Sequence, residues 1–163
     1  MNLNRTSRIA APPERVAAVL VSEELHLGLE RDREGVAEAA FAVVSDAPGG
    51  RVFELRSREY RRTLTGAIDR SATVASVTRN TWDASTKTLR WSYESGNSDR
   101  IRIAGSYRVE PDGAGTRLVY DVTIDARIPL VGGRVAKYIA GEMETSFREQ
   151  DRRIERLAKA PAS

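Results

Sequence analysis

The chain has 163 residues, with 40% hydrophobic and 30% charged side chains, a balance that excludes disordered and membrane classes and suits one ordinary domain. It has no cysteine, which excludes disulfides, thiolate metal sites, iron–sulfur clusters and cysteine nucleophiles. Its one histidine, His26, excludes sites built from several imidazoles, and the net charge is only +3.

A chain of this length buries roughly 70% of its unfolded surface and builds a core without staples. Arginine supplies nearly all the positive charge, because the lysines are only Lys87, Lys137 and Lys159. A nucleic-acid footprint would cluster cations on one face beside stacking aromatics. Here the arginines are spread along the whole chain, so no nucleic-acid partner is expected. No run reaches the roughly 18 apolar residues of a membrane helix, so no integral membrane segment is expected. The first residues are broken by Pro12, Pro13, Glu14 and Arg15 and do not read as a signal peptide, which predicts a cytoplasmic protein. The Asn4-Arg5-Thr6 triplet is then a chance match to a glycosylation sequon.

Residues 3–10 read as a short strand ended by Ala11-Pro12-Pro13. Proline suits a first helical turn, and Val16, Ala17, Val19 and Leu20 then follow helical spacing. Ser22 is placed to cap a second short helix over 23–32. From Gly35 to Pro129 the dominant period is two. Strands are predicted over 36–45, 51–60, 72–82, 87–95, 100–110 and 116–128, joined by short polar turns as an antiparallel meander. Residues 61–71 are the least regular connection, read as a short helix or a loop.

In the last three strands, one face collects Leu89, Trp91 and Tyr93, then Ile101, Ile103, Gly105, Tyr107 and Val109, then Leu118, Tyr120, Val122, Ile124 and Ala126. The other collects Arg90, Arg102, Arg108, Arg117, Asp121 and Asp125. That is a sheet with one dry and one wet face. Its cover is a helix predicted over 134–160, with Val135, Ile139, Met143 and Phe147 at intervals of four and Ile154 and Leu157 continuing the stripe. The whole chain reads as one domain, 1–163, with 159–163 as a frayed tail.

This order resembles the START-like helix-grip superfamily, which includes the birch-pollen-allergen fold and the polyketide cyclase/dehydrase group. The segment APPERVAAVL after the first strand is similar to a common opening of that superfamily. The join DVTIDARIPLVGGRVAKYIAGEMETSFREQDRRIERL resembles a bacterial branch related to polyketide cyclase/dehydrase and lipid-transport proteins. The resemblance covers about residues 3–158. It implies an α+β fold in which a curved antiparallel sheet of about seven strands wraps around the long C-terminal helix. It also implies a cavity between them for a lipid or other small hydrophobic molecule, and it supplies no shared catalytic motif.

Little in the sequence points to chemistry. His26, flanked by leucines, reads as a structural residue, or else as a hydrogen-bonding group at a pocket mouth or a general base. Glu142 with Glu144, and Glu149 with Asp151, are two apart on a helix and point to different faces; of these, Glu142 is expected to lean toward a cavity. Glu59 lies on a strand of ambiguous phase. Gly132-Gly133 reads as a tight entry turn rather than a phosphate site, and no nucleophile elbow, P-loop, dinucleotide fingerprint or zincin helix is present. No catalytic residue, metal or cofactor is assigned.

The aromatic set is more informative. Trp91, Tyr93, Ile103, Tyr107, Tyr120 and Val122 fall on the dry face, opposite Ile139, Met143 and Phe147. Three tyrosine hydroxyls on that face need partners if buried. These nine residues are expected to line a ligand cavity. The alternatives are an enzyme of the cyclase/dehydrase kind moving protons with Tyr or Glu, and a surface-acting interaction module with a filled core.

Overall fold

The computed structural model describes residues 1–63, 67–96 and 99–161. In chain order the elements are β1 (Asn2–Ile9), α1 (Pro13–Leu20), α2 (Glu23–Asp32), β2 (Val36–Ala47), β3 (Gly50–Arg62), β4 (Ile68–Asp83), β5 (Thr88–Ser95), β6 (Ile101–Asp112), β7 (Gly115–Ala126) and α3 (Gly132–Lys159). The strands form one curved antiparallel sheet in the order β1-β7-β6-β5-β4-β3-β2. Hairpins join β2 to β7 in sequence, and β1 closes the far edge by pairing with β7. Register shifts within β2, and between Tyr60 and Arg61 of β3, mark bulges, which bend the strands that carry them.

Local chemistry accounts for the helix starts. Pro13 opens α1 and buries Val16, Val19 and Leu20 behind it. Ser22 caps α2, its side chain accepting from the Leu25 amide at 3.3 Å. Helix α3 has 28 residues, so it runs about 40 Å and crosses the sheet. Arg15 of α1 ties down its far end by donating to the Ala158 carbonyl at 3.1 Å.

The phase of β5 to β7 is as expected. Leu89, Trp91, Tyr107, Val109, Leu118, Tyr120, Val122 and Ile124 are buried, while Arg90, Arg102, Arg108, Arg117 and Asp121 are exposed. Two expectations need correction. The irregular connection is shorter than 61–71, because β3 runs to Arg62 and β4 begins at Ile68; residues 64–66 lie outside the described residues, as do the turn residues 97–98 and the tail residues 162–163. The buried stripe of α3 is Ala136, Ala140, Phe147, Gln150, Ile154 and Ala158, whereas Val135, Ile139, Met143 and Leu157 are half-buried. Alanine lets the helix axis approach the sheet closely, so the small residues face it and the larger ones flank the contact.

Candidate functional site

The interior divides into a closed part and a half-open part. Cross-strand register sets the closed part: Tyr107 lies opposite Leu89 and Tyr120, and Trp91 lies opposite Gly105. A Cβ on Gly105 would sit 2.6 Å from the Asp121 carbonyl oxygen and 2.9 Å from Cζ2 of Trp91. Only glycine therefore lets the indole lie across the strand. The Trp91 and Tyr107 rings are 5.9 Å apart, Tyr107 and Tyr120 5.0 Å, and Phe147 stands 4.8 Å from Tyr120 and 6.1 Å from Tyr107. These offset and edge contacts join Trp91, Tyr107, Tyr120 and Phe147, with Val122 buried beside them, into packed core.

The two inner hydroxyls here meet α3. Tyr120 donates to the Asp151 carboxylate, and the Tyr107 hydroxyl faces the Gln150 side chain. Burial, reinforced for Tyr120 by the Asp151 charge, pushes both phenols above their usual range. Asp151 also accepts from Ser7 at 3.1 Å and pairs with Arg5 at 2.7 Å, and the Arg5 guanidinium lies 5.4 Å from the Tyr120 ring centre. The acidic residue that α3 turns inward is thus Asp151, and Glu142 and Glu144 are exposed. The wide inner stripe of α3 obscures this in sequence, because which edge of the stripe faces β1 depends on how the helix sits on the sheet.

The half-open part lies where helix cover stops. Helix α3 packs on β7 and β1, and α2 packs on β2 and β3. Strands β4 and β5 run between these contacts. Tyr93, Ile103, Ile139 and Met143 all remain half-buried, packed against the core on one side only. Tyr93 and Ile103 are cross-strand neighbours, and Ile139 and Met143 are one turn apart on α3. The nine expected site residues therefore separate into five core residues and these four.

The strands beside the half-open part are polar on their inner face. Ser57, Ser76 and Ser95 align across β3, β4 and β5, and Ser57 and Ser76 are buried. The Tyr93 hydroxyl lies beside the side chains of Ser76 and Ser95. Burial first, and the Glu59 carboxylate second, raise its pKa. Glu59 pairs with Arg33, which also binds Glu30 at 2.5 Å. Burial works against the charge on Arg33, but the two carboxylates outweigh it and raise its pKa. Sequence reasoning missed Arg33, Ser57 and Ser76 and left Glu59 open. The signal was present: two-residue alternation from Phe53 and Leu55, both buried, carries Ser57 and Glu59 onto the same face.

His26 is a structural residue. Its Nε2 lies 2.7 Å from the Leu20 carbonyl oxygen, so Nε2 carries the proton and donates, and the ring packs 5.0 Å from Phe53. Burial lowers its pKa from 6.5 to about 4, partly opposed by that hydrogen bond. The charged form is thus disfavoured only in the folded state. Stability from this residue is complete above pH 6.5 and is lost as pH falls toward 4, by up to about 3 kcal/mol. Urea titrations across that window should show the decline in the parent and a flatter profile in His26→Phe; parallel profiles would reject the assignment.

Two surface hollows lie elsewhere. One, of about 440 Å³, is on the wet face and includes Asn4, Arg90, Ser106 and Asp121. The other, of about 400 Å³, lies between Met1, Ala126 and the start of α3. Among the described residues, no three His, Cys, Asp or Glu side chains converge as a metal site, and no helix is long and apolar enough to cross a membrane.

The sheet gripping one long helix, with two short helices after β1, is a START-like helix-grip fold. The chain belongs to the family described as Protein of unknown function (DUF2505), whose profile matches residues 4–157. It is similar in structure to TTHA0849 from Thermus thermophilus, at 22% identity and a TM-score of 0.67, with each chain covered over 100% of its length. A START superfamily protein from Mycobacterium smegmatis shares 17% identity, with a TM-score of 0.64 over 96% of this chain and 98% of its own. The di-domain ARO/CYC BexL from the BE-7585A biosynthetic pathway shares 16% identity, with a TM-score of 0.66 over 99% of this chain and 51% of its own. No match was found among curated proteins.

Proposed function

We propose that the protein binds a small hydrophobic molecule or lipid between the curved sheet and α3, and that the bound molecule is amphipathic. The observation that carries this reading is the half-buried set of Tyr93 and Ile103, on strands that α2 and α3 leave largely uncovered, and Ile139 and Met143, at the flank of α3. Apolar groups held half-open on the inner face gain about 25 cal/mol per Å² when a ligand covers them. Trp91, Tyr107, Tyr120, Val122 and Phe147 form the rigid floor behind them, and Ser57, Ser76, Tyr93 and Glu59 offer hydrogen bonds to a polar end. The Nε1 of Trp91 is buried without a hydrogen-bond partner, an arrangement that an acceptor oxygen on a ligand would relieve. We read the place of work as the cytoplasm and the described chain as acting as one domain.

The test is native mass spectrometry of the purified protein, with extraction of any co-purifying small molecule, followed by titration with an apolar fluorescent probe. In a Trp82→Phe background, Trp91 is the sole tryptophan and reports locally. Saturable binding at one equivalent, with a shift in Trp91 emission, is expected, and Ile139→Ser should weaken it. No bound molecule and no saturable probe binding would sink the reading. A second reading, a cyclase-like enzyme, rests on the Tyr93 phenol beside the Glu59 carboxylate; turnover of an aromatic polyketide analogue that is lost in Glu59→Gln would favour it.

A further inference from the structure

We propose that the turn before α3, together with the first two turns of that helix, is a docking surface for an anionic lipid bilayer. The starting observation is Leu130. Its side chain stands entirely in solvent, and its backbone adopts φ = 70°. That left-handed region is costly for a residue with a branched side chain, and such strain concentrates at functional positions. Two glycines follow at Gly132 and Gly133, so the local sequence does not lack residues suited to that conformation. The leucine nonetheless occupies the strained position and projects outward.

Leu130 is not alone. Val131 is exposed next to it, Tyr138 is exposed two turns along α3, and on the adjoining N-terminus Met1 is 50% exposed. Met1 is held there by its ammonium group, which donates to the Ile124 carbonyl at 2.8 Å. Apolar groups clustered at one tip, rather than scattered singly, mark an interaction surface.

The charge around this tip is mostly positive, and the acidic residue beside it, Asp125, is paired with Arg127 at 2.8 Å. Arg134 and Lys137 are exposed on the outer face of the first two turns of α3. The Arg127 amide donates to the Arg100 carbonyl at 2.6 Å, which brings Arg100, next to Asp99, to the same end of the molecule, so Arg134 and Lys137 are the cations that carry the charge of the tip. The first turn of α3 has no acidic residue and no side-chain cap, so its own sequence leaves the positive pole of the helix uncompensated. Glu142 and Glu144 appear only in the third and fourth turns.

Aliphatic, tyrosyl and cationic groups at one protruding tip match the layering of a bilayer surface. Leucine and valine enter the acyl boundary, tyrosine sits at headgroup level, and cations meet anionic headgroups. A single-stranded nucleic acid would call for several stacking aromatics, and only Tyr138 is available here. The surface uses none of the residues assigned to the half-open part, so the proposal stands or falls without the ligand-binding reading.

The experiment is co-sedimentation of the full chain with vesicles of phosphatidylcholine alone and of phosphatidylcholine mixed with phosphatidylglycerol, at low and raised salt. Binding is expected only to the mixed vesicles, and raised salt should weaken it. Arg134→Gln and Lys137→Gln should each weaken it about fivefold, and Leu130→Asn roughly tenfold. Asparagine tolerates the left-handed backbone better than leucine, so Leu130→Asn should melt at or above the parent temperature. Loss of binding there is then not loss of fold. Absent sedimentation, equal sedimentation with neutral vesicles, unchanged binding in all three variants, or binding to duplex DNA in place of vesicles would each overturn the proposal.

Discussion

Phe147→Ala is expected to lower the unfolding free energy by about 3–5 kcal/mol, and Met143→Ala by about 1 kcal/mol or less. The two residues are one turn apart on the same helix, and sequence periodicity treats them as equivalent. Their surroundings are not equivalent. Phe147 is 4% exposed and touches the Tyr107 and Tyr120 rings. Removing it leaves a cavity walled by aromatics, of which Tyr120 is itself fixed by Asp151, so the site cannot collapse. Met143 is half-buried at the edge of the core, so its truncation removes fewer contacts and opens onto existing space. Probe binding should respond in the opposite order if Met143 touches ligand, falling more for Met143→Ala than its small stability loss suggests. Chemical denaturation of both variants, with probe titration alongside, reads both quantities. Equal large stability losses would mean that the cleft is filled core and that the proposed site is misplaced.

The fold was legible because it rests on short-range rules. The alternation through Trp91, Ile103, Tyr107, Tyr120 and Val122 has a period that only a strand satisfies, and a one-residue slip would have placed arginines in the core. The Ser22 cap and the proline start of α1 are equally local. The site was less legible because its residues depend on where cover ends. Nothing in the spacing of Tyr93 and Trp91, two residues apart on β5, says that one remains half-open while the other is core. That difference arises because the Trp91 ring lies over Gly105 and against Tyr107, whereas Tyr93 lies one step further along β5, beyond those contacts. Leu130 and Val131 mislead in another way: a sequence pattern assigns aliphatic residues to the interior, and only the left-handed turn reveals them as exposed. Glu59 was within reach, since the parity of Phe53 and Leu55 carries through to it before the bulge at Tyr60.

Asp151→Ala is expected to cost about 3 kcal/mol, toward the lower end for breaking a buried ion pair, because Arg5 keeps some solvent. The side chains of Arg5 and Asp151 are 21% and 14% exposed. The carboxylate accepts from the Tyr120 hydroxyl on β7, from Ser7 on β1, and from Arg5. It is therefore the point at which α3 is fastened to the sheet edge formed by β1 and β7. Asp151→Asn keeps acceptors for the two hydroxyls and should cost less, its loss arising mainly at Arg5. Combining Asp151→Ala with Arg5→Met should then restore part of the stability, because no uncompensated guanidinium remains. A double-mutant cycle measures this directly, and additive losses would show that the pair does not couple. The same contact predicts alkaline sensitivity. Tyr120 and Tyr107 titrate above the ordinary value of 10.0 in the folded protein, so the unfolded chain gives up these protons first. Their contribution is complete below pH 10.0 and declines as pH rises beyond it. Tyr120→Phe should flatten that decline while losing the bond to Asp151, and a profile as steep as the parent's would place the alkaline sensitivity elsewhere.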